Sequence, residues 1–160
     1  MLSVRLVCVG KMREKYFIDA FAEYSKRLGA YCRFECVELA EQRLGDQPSR
    51  AEIDAALAKE GAEILKYIPA DAYFIAMCVE GGEKSSEELS ALVSERESSG
   101  RSRLCFAVGG SYGLGERVKE RADLRLSMSR MTFPHHLARV MLAEQIYRAF
   151  KIKEGSRYHK

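Results

Sequence analysis

Five short apolar runs, each followed by a longer stretch with helical spacing, set the strongest limit on what this chain can fold into. The first, Ser3 to Gly10, closes on a glycine; the others are Phe34 to Leu39, Ala72 to Val79, Leu104 to Val108 and Leu124 to Leu126. Between them, Tyr16 to Leu28 carries Phe17, Ala20, Phe21, Tyr24 and Leu28 on one helical face. Gln42 to Ser49 is a loop, and Pro48-Ser49 opens a second helix with Ile53, Leu57, Ile64 and Ile68 as its stripe, ended by Pro69. Ser85-Ser86-Glu87-Glu88 is a capping box that starts a third helix, which stops before Gly100. Glu116 to Ala122 makes a short helix, and Leu137 to Ile152 a long last one. Strand–helix alternation predicts an α/β fold, a mostly parallel sheet with helices on both faces. The third run is apolar throughout, as in a strand covered on both sides. No linker or repeat divides the chain, so residues 1–160 are expected to form one domain. A chain of this length buries roughly 70% of its unfolded surface and needs no staple.

In open parallel sheets, ligands bind beyond the carboxyl ends of the strands. Three segments therefore converge on one edge: the end of the third strand near Met77, the glycine loop after Val108, and the loop after Leu126. The glycine loop, Gly109-Gly110-Ser111-Tyr112-Gly113-Leu114-Gly115, has the order GGxxGxG. That is neither the dinucleotide GxGxxG nor a phosphate loop closed by GK[ST]. Taken alone it speaks more for backbone geometry than for a ligand, although it offers bare N–H and C=O groups and close approach for a flat ring. Ser127 to His136 combines hydroxyls, Pro134 in a first helical turn with Thr132 or Phe133 near the cap, and paired histidines. Such a start exposes N–H donors that favour a carboxylate or phosphate. It also reads as a plain helix cap, with His135 and His136 as polar residues of the first turn.

The last helix carries Leu137, Val140, Met141, Leu142, Ile146, Tyr147 and Phe150, leaving Arg139, Glu144, Arg148 and Lys151 as its polar part. One sheet face cannot cover so wide an apolar belt, which predicts a homodimer contact along it. Glu144 and Arg148, four apart, can pair on the surface. The ending Arg157-Tyr158-His159-Lys160 could meet a phosphate, stack on a base or move a proton, where most termini carry nothing. A net charge of +3 permits a nucleic-acid partner without requiring one. The five cysteines are odd in number and lack metal-ligand spacing; Cys32 and Cys36 form only CxxxC. They read as reduced, mostly buried thiols, and no metal is expected. No apolar run approaches the ~20 residues of a membrane span, and Arg5 interrupts the N-terminal one. With no secretory signal, a cytoplasmic location is expected.

Taken together, these stretches resemble the RlmH family of SPOUT methyltransferases. The likeness covers nearly the whole chain: VCVGK (Val7 to Lys11), EYSKRL (Glu23 to Leu28), VGGSYGL (Val108 to Leu114), LSMSRMTFPHHLARVMLAEQIYRAF (Leu126 to Phe150) and the final YHK. It implies an S-adenosylmethionine-dependent enzyme that methylates N3 of a pseudouridine in large-subunit ribosomal RNA, free or within an assembled ribosome. It further implies an obligate homodimer and a deep C-terminal trefoil knot of the SPOUT type. By position, the cofactor residues would be Met77, Gly109, Met128, Ser129, Arg130, Met131, Thr132 and Phe133. The tail would reach the other subunit's site, with His159 accepting the proton of N3, Tyr158 stacking on the base, and Arg139 or Lys160 stabilising the developing anion. The chain departs from the family twice: Cys78 stands where an acid is usual, and Gly81-Gly82 where a glycine-lysine pair is usual, lysine appearing only at Lys84. A non-enzymatic RNA-binding or ribosome-assembly protein using the same surface is the alternative. A nucleotide hydrolase is disfavoured by the missing phosphate loop and the lack of an aspartate cluster for Mg²⁺.

Overall fold

The computed structural model describes all residues, 1–160. Its elements are β1 (Ser3–Val9), α1 (Lys15–Leu28), β2 (Arg33–Leu39), α2 (Arg50–Lys66), β3 (Tyr73–Glu83), α3 (Ser86–Ser98), β4 (Arg103–Val108), α4 (Glu116–Arg121), β5 (Leu124–Ser127) and α5 (His135–Lys153). The strands form one sheet in the order β2-β1-β4-β3-β5, and every pairing in it is parallel.

Alternation along the central strands builds two cores. Val4, Leu6 and Cys8 of β1, with Leu104, Phe106 and Val108 of β4, pack on Leu142, Ile146 and Phe150 of α5 and on Leu89 and Val93 of α3. The intervening Val7, Val9, Cys105 and Ala107 face the other way, onto Ile64 of α2 and Val118 of α4. Helices α1, α3 and α5 thus share one face and α2 and α4 the other, as the alternation predicts. Local signals hold at the helix starts. Ser49 accepts from the Glu52 N–H, and Ser85 and Glu88 form the reciprocal capping box.

Three boundaries differ from expectation. Helix α2 ends at Lys66 rather than at Pro69, and Ile68 lies past it, still buried. Pro134 is the N-cap of α5 rather than part of its first turn, and no side chain caps that helix. Strand β3 continues to Glu83 through an irregularity, because Met77 and Gly82 both pair with Leu126. The residues between them bulge out of the ladder toward the edge where the ligand segments gather. Gly81 is required there: a Cβ would sit 2.7 Å from the Arg125 carbonyl carbon. Gly82 is not so constrained, its nearest neighbour being the Arg125 oxygen at 4.0 Å, so a side chain fits at that position. No helix is long and apolar enough to cross a membrane.

Candidate functional site

Beyond the carboxyl ends of β3, β4 and β5 lies a cavity of about 620 Å³. Its walls are the β3 bulge from Met77 to Glu80, the glycine loop from Val108 to Leu114, and the segment from Leu126 to His135, floored by Ala138 and Leu142 of α5. These are the three segments that the strand-end argument brought together. Met77, Gly109, Met128, Ser129, Met131, Thr132 and Phe133 all line it. Arg130 does not; it points to solvent at the loop's outer side.

The glycine loop has a structural reason for its composition. Gly113 adopts φ +78° and donates its N–H to the Gly110 carbonyl at 3.1 Å, folding the loop back on itself. The fold-back is so close that a Cβ on Gly109 would stand 2.3 Å from the Gly113 oxygen. Glu41, from the loop after β2, anchors the turn by accepting the Ser111 N–H at 2.9 Å. Tight backbone geometry is therefore the use of glycine that operates here, and the loop it folds lies on the cavity wall.

The segment before α5 is held by its own hydroxyls. Ser127 donates to the Ser129 carbonyl at 2.8 Å, and Ser129 Oγ accepts the Met131 N–H at 3.1 Å. The apolar side chains of Met77, Leu114, Leu126, Met128, Phe133 and Leu142 make a surface suited to a flat aromatic ring. Cys78 lies on the wall, its thiol pushed up by burial and so uncharged near neutrality. Two residues on, Glu80 puts a carboxylate on the same wall, paired with Lys119 and held below the usual carboxylate range by that hydrogen bond. Sequence reasoning missed both Glu80 and Lys119, since nothing local marks a bulge that brings Glu80 to the cavity wall.

Arg139 requires a correction. Helical spacing placed it on the polar part of α5, and the expected methyl-transfer chemistry made it a candidate for stabilising an anion; its side chain is 1% exposed and absent from the cavity wall. One guanidinium nitrogen donates to Glu38 at 2.6 Å, and another to the Gly10 carbonyl at 2.9 Å. Glu38 also accepts the Met12 N–H at 3.0 Å. Arg139 is consequently a staple between α5 and the ends of β1 and β2. The neighbouring His135 and His136 rings lie 4.2 Å apart, with His136 Nδ1 3.4 Å from Glu14. Burial is the main cause that holds His135 below the ordinary imidazole value, so it is neutral at pH 7.

Tyr158, His159 and Lys160 do not line the cavity. The tail folds back along α5, where the Tyr158 hydroxyl donates to Glu144 at 3.0 Å and the ring meets Tyr147 edge-on at 5.0 Å. His159 Nε2 stands 2.7 Å from Glu87, and Nδ1 3.1 Å from Arg148. A carboxylate can only accept and a guanidinium can only donate, which assigns the proton to Nε2 and leaves Nδ1 accepting. Glu144 and Arg148 pair at 2.6 Å, as their spacing predicts. On α5 itself, Leu142, Ala143, Ile146, Ala149 and Phe150 are buried, whereas Leu137, Val140, Met141 and Tyr147 stay half-buried. All five cysteines are free thiols, and no group of three or more His, Cys, Asp or Glu residues could hold a metal.

An open parallel sheet with a glycine-walled cavity of about 620 Å³ at its carboxyl edge defines an α/β protein with room for a small-molecule ligand there. The family described as "Predicted SPOUT methyltransferase" matches residues 2–159. Similar proteins include "Ribosomal RNA large subunit methyltransferase H" of Bacillus pumilus (strain SAFR-032), 44% identical over 99% of this chain and 100% of that one. The protein of the same name from Bifidobacterium adolescentis is 46% identical over the same shares. Among solved structures, a methylase family protein from Haemophilus influenzae Rd KW20 has a TM-score of 0.54 at 13% identity. It covers 100% of this chain and 72% of its own, a likeness of fold. The chain belongs to the SPOUT methyltransferase family.

Proposed function

We propose that this protein is an S-adenosylmethionine-dependent methyltransferase of large-subunit ribosomal RNA, acting as a homodimer on N3 of a pseudouridine. The observation that carries this reading is the cavity walled by the bulge after Met77, the glycine loop and the segment before α5. Relatives named for ribosomal RNA methylation are similar to it over their full length. The cavity fits the donor: apolar side chains for the adenine, and a glycine loop on its wall that folds tightly because Gly109 carries no Cβ. Met77, Gly109, Met128, Ser129, Met131, Thr132 and Phe133 would hold it, and Arg130, outside the wall, would meet RNA or solvent. S-adenosylmethionine supplies, when bound, a methyl group already activated on a sulfonium centre.

The chain's own task is then alignment and proton removal, since imide N3 must lose its proton to attack. The tail, held away from the cavity of its own chain, serves the cavity of a second copy in this proposal. His159 accepts the proton once released from Glu87 and Arg148, Lys160 offsets the developing negative charge, and Tyr158 stacks on the base. The half-buried Leu137, Val140, Met141 and Tyr147 of α5 supply the dimer face. A trefoil thread is proposed for the C-terminal crossover. In its favour, the chain leaves the sheet at edge strand β5 and returns through α5 to the end of β1, where Arg139 meets Gly10.

The test incubates methyl-labelled S-adenosylmethionine with ribosomes from cells lacking the activity and then locates the label. Label at N3 of a large-subunit pseudouridine supports the enzyme; RNA binding without label supports the ribosome-assembly alternative. Sedimentation should find a dimer of the 18.1 kDa chain at micromolar concentration. Gly109→Ala should weaken S-adenosylmethionine binding by about tenfold or more, because overpacking costs about 1–3 kcal/mol and the clashing atoms are backbone. Wild-type affinity by calorimetry would mean that the loop yields and does not form the donor's wall.

A further inference from the structure

A second cleft, of about 880 Å³, opens at the carboxyl ends of β1 and β2. It shares Ser111, Tyr112, Pro134 and His135 with the donor cavity, so the two hollows adjoin. Lys11 and Arg13, from the loop after β1, and Arg43, from the loop after β2, line it and are exposed. None of the three enters an ion pair within the chain.

The cleft's carboxylates, in contrast, have partners inside the protein. Glu41 accepts the Ser111 N–H at 2.9 Å, Glu14 lies 3.4 Å from His136, and Glu60 is buried and accepts the Gln42 N–H at 2.8 Å. The cations are thus the charged groups of the cleft left without a partner in the chain, while its carboxylates are engaged inward. At the junction with the donor cavity, Tyr112 is 48% exposed, a large ring with little cover.

We propose that this cleft holds the single-stranded RNA flanking the target nucleotide, with phosphates against Lys11, Arg13 and Arg43 and a base stacked on Tyr112. The inference rests on the methyltransferase reading and adds where its polymer substrate lies. Free cations on two separate loops suit a backbone that carries a charge at every residue. An uncovered aromatic ring suits an unstacked base, which a duplex does not present. An acidic peptide would use the cations and leave the ring idle.

The experiment follows fluorescence anisotropy of a labelled single-stranded RNA of about 15 nucleotides, within the size range of such sites. The full-length protein is used across a salt series. Each phosphate contact contributes about 0.7 to the slope of log affinity against log salt on single strands, so K11A/R13A/R43A should reduce the slope by about 2. Its affinity near ~0.1 M salt should fall by at least about tenfold. Tyr112→Leu should weaken binding by about tenfold with the slope unchanged, as loss of one stacked base does. Arg33, which opens β2, and Arg101, which precedes β4, are exposed at the amino-terminal edge of the sheet, opposite the cleft. R33A/R101A should therefore leave slope and affinity as in wild type.

An unchanged slope in the triple variant overturns the proposal, as does an equal loss per charge in the control pair. An acidic peptide competing as well as RNA, or wild-type affinity in Tyr112→Leu, overturns it too. Calorimetry with S-adenosylmethionine should give wild-type affinity in the triple variant, because its three residues lie outside the donor cavity. If the protein binds RNA through this cleft but labels none, the methyltransferase reading fails and the cleft stands. If labelling by the triple variant keeps wild-type dependence on ribosome concentration, the cleft fails and the enzyme stands.

Discussion

Deleting Tyr158, His159 and Lys160 is expected to cut methyl transfer to ribosomes by at least about a hundredfold, since a positioned general base contributes about 10²–10⁴. The same deletion should change S-adenosylmethionine affinity little, because none of the three residues lines the donor cavity. That split separates a tail that acts in the reaction from one that only supports the fold. As a support, the tail has modest means: a Tyr158–Glu144 hydrogen bond, the edge contact with Tyr147, and Arg148 over the Tyr158 ring at 4.8 Å. Wild-type turnover in the truncated protein would remove the tail from the mechanism. A parallel loss of donor binding would make it structural. Mixing truncated chains with chains carrying Gly109→Ala adds a sharper test. If tail and cavity work across subunits, the mixed dimer regains one complete site; if they work within one chain, it regains none.

Arg139→Ala is expected to cost about 3–5 kcal/mol, the loss typical of breaking a buried pair by removing one partner. The change strips Glu38 of its charged partner and leaves the Gly10 carbonyl without its guanidinium donor. Because Glu38 is 38% exposed, water can take over part of its solvation, which favours the lower end of that range. At roughly 2–4 °C per kcal/mol for a chain of this size, the melting midpoint should fall by about 6–12 °C. Arg139→Lys should recover only part of it, since a single ammonium cannot span Glu38 and Gly10 as the fork does. Circular dichroism melts check this. A shift under about 2 °C with a large fall in turnover would restore the anion-stabilising role expected from the methyl-transfer chemistry.

Arg139 also shows where sequence reading stops. The sequence reading assigned it to the polar part of α5 as a charged residue, and arginine is rarely buried. Its acceptors, Glu38 and Gly10, lie 101 and 129 residues away along the chain. No local pattern encodes a pairing at that distance. The β3 bulge is similar: Ala72 to Val79 reads as a simple strand, and only β5 pairing with both Met77 and Gly82 creates the wall that carries Glu80. The tail's docking on Glu144, Glu87 and Arg148 likewise depends on α3 and α5 lying side by side. By contrast, the capping box at Ser85 and the cap at Ser49 involve neighbours three residues apart, and both formed as read.

The sequence alone determined the alternation of strands and helices and the edge where a ligand would sit. Both follow from local periodicity and from the rule that parallel strands end on one side. Seven of the eight residues that the family resemblance implied for a donor line the cavity. Tertiary structure alone decided the strand order, the placing of Glu80 on the cavity wall, the burial of Arg139 and the separation of the tail from the cavity of its own chain. Each of these depends on which distant backbone a residue meets, and that is settled by packing two cores at once rather than by any spacing along the chain.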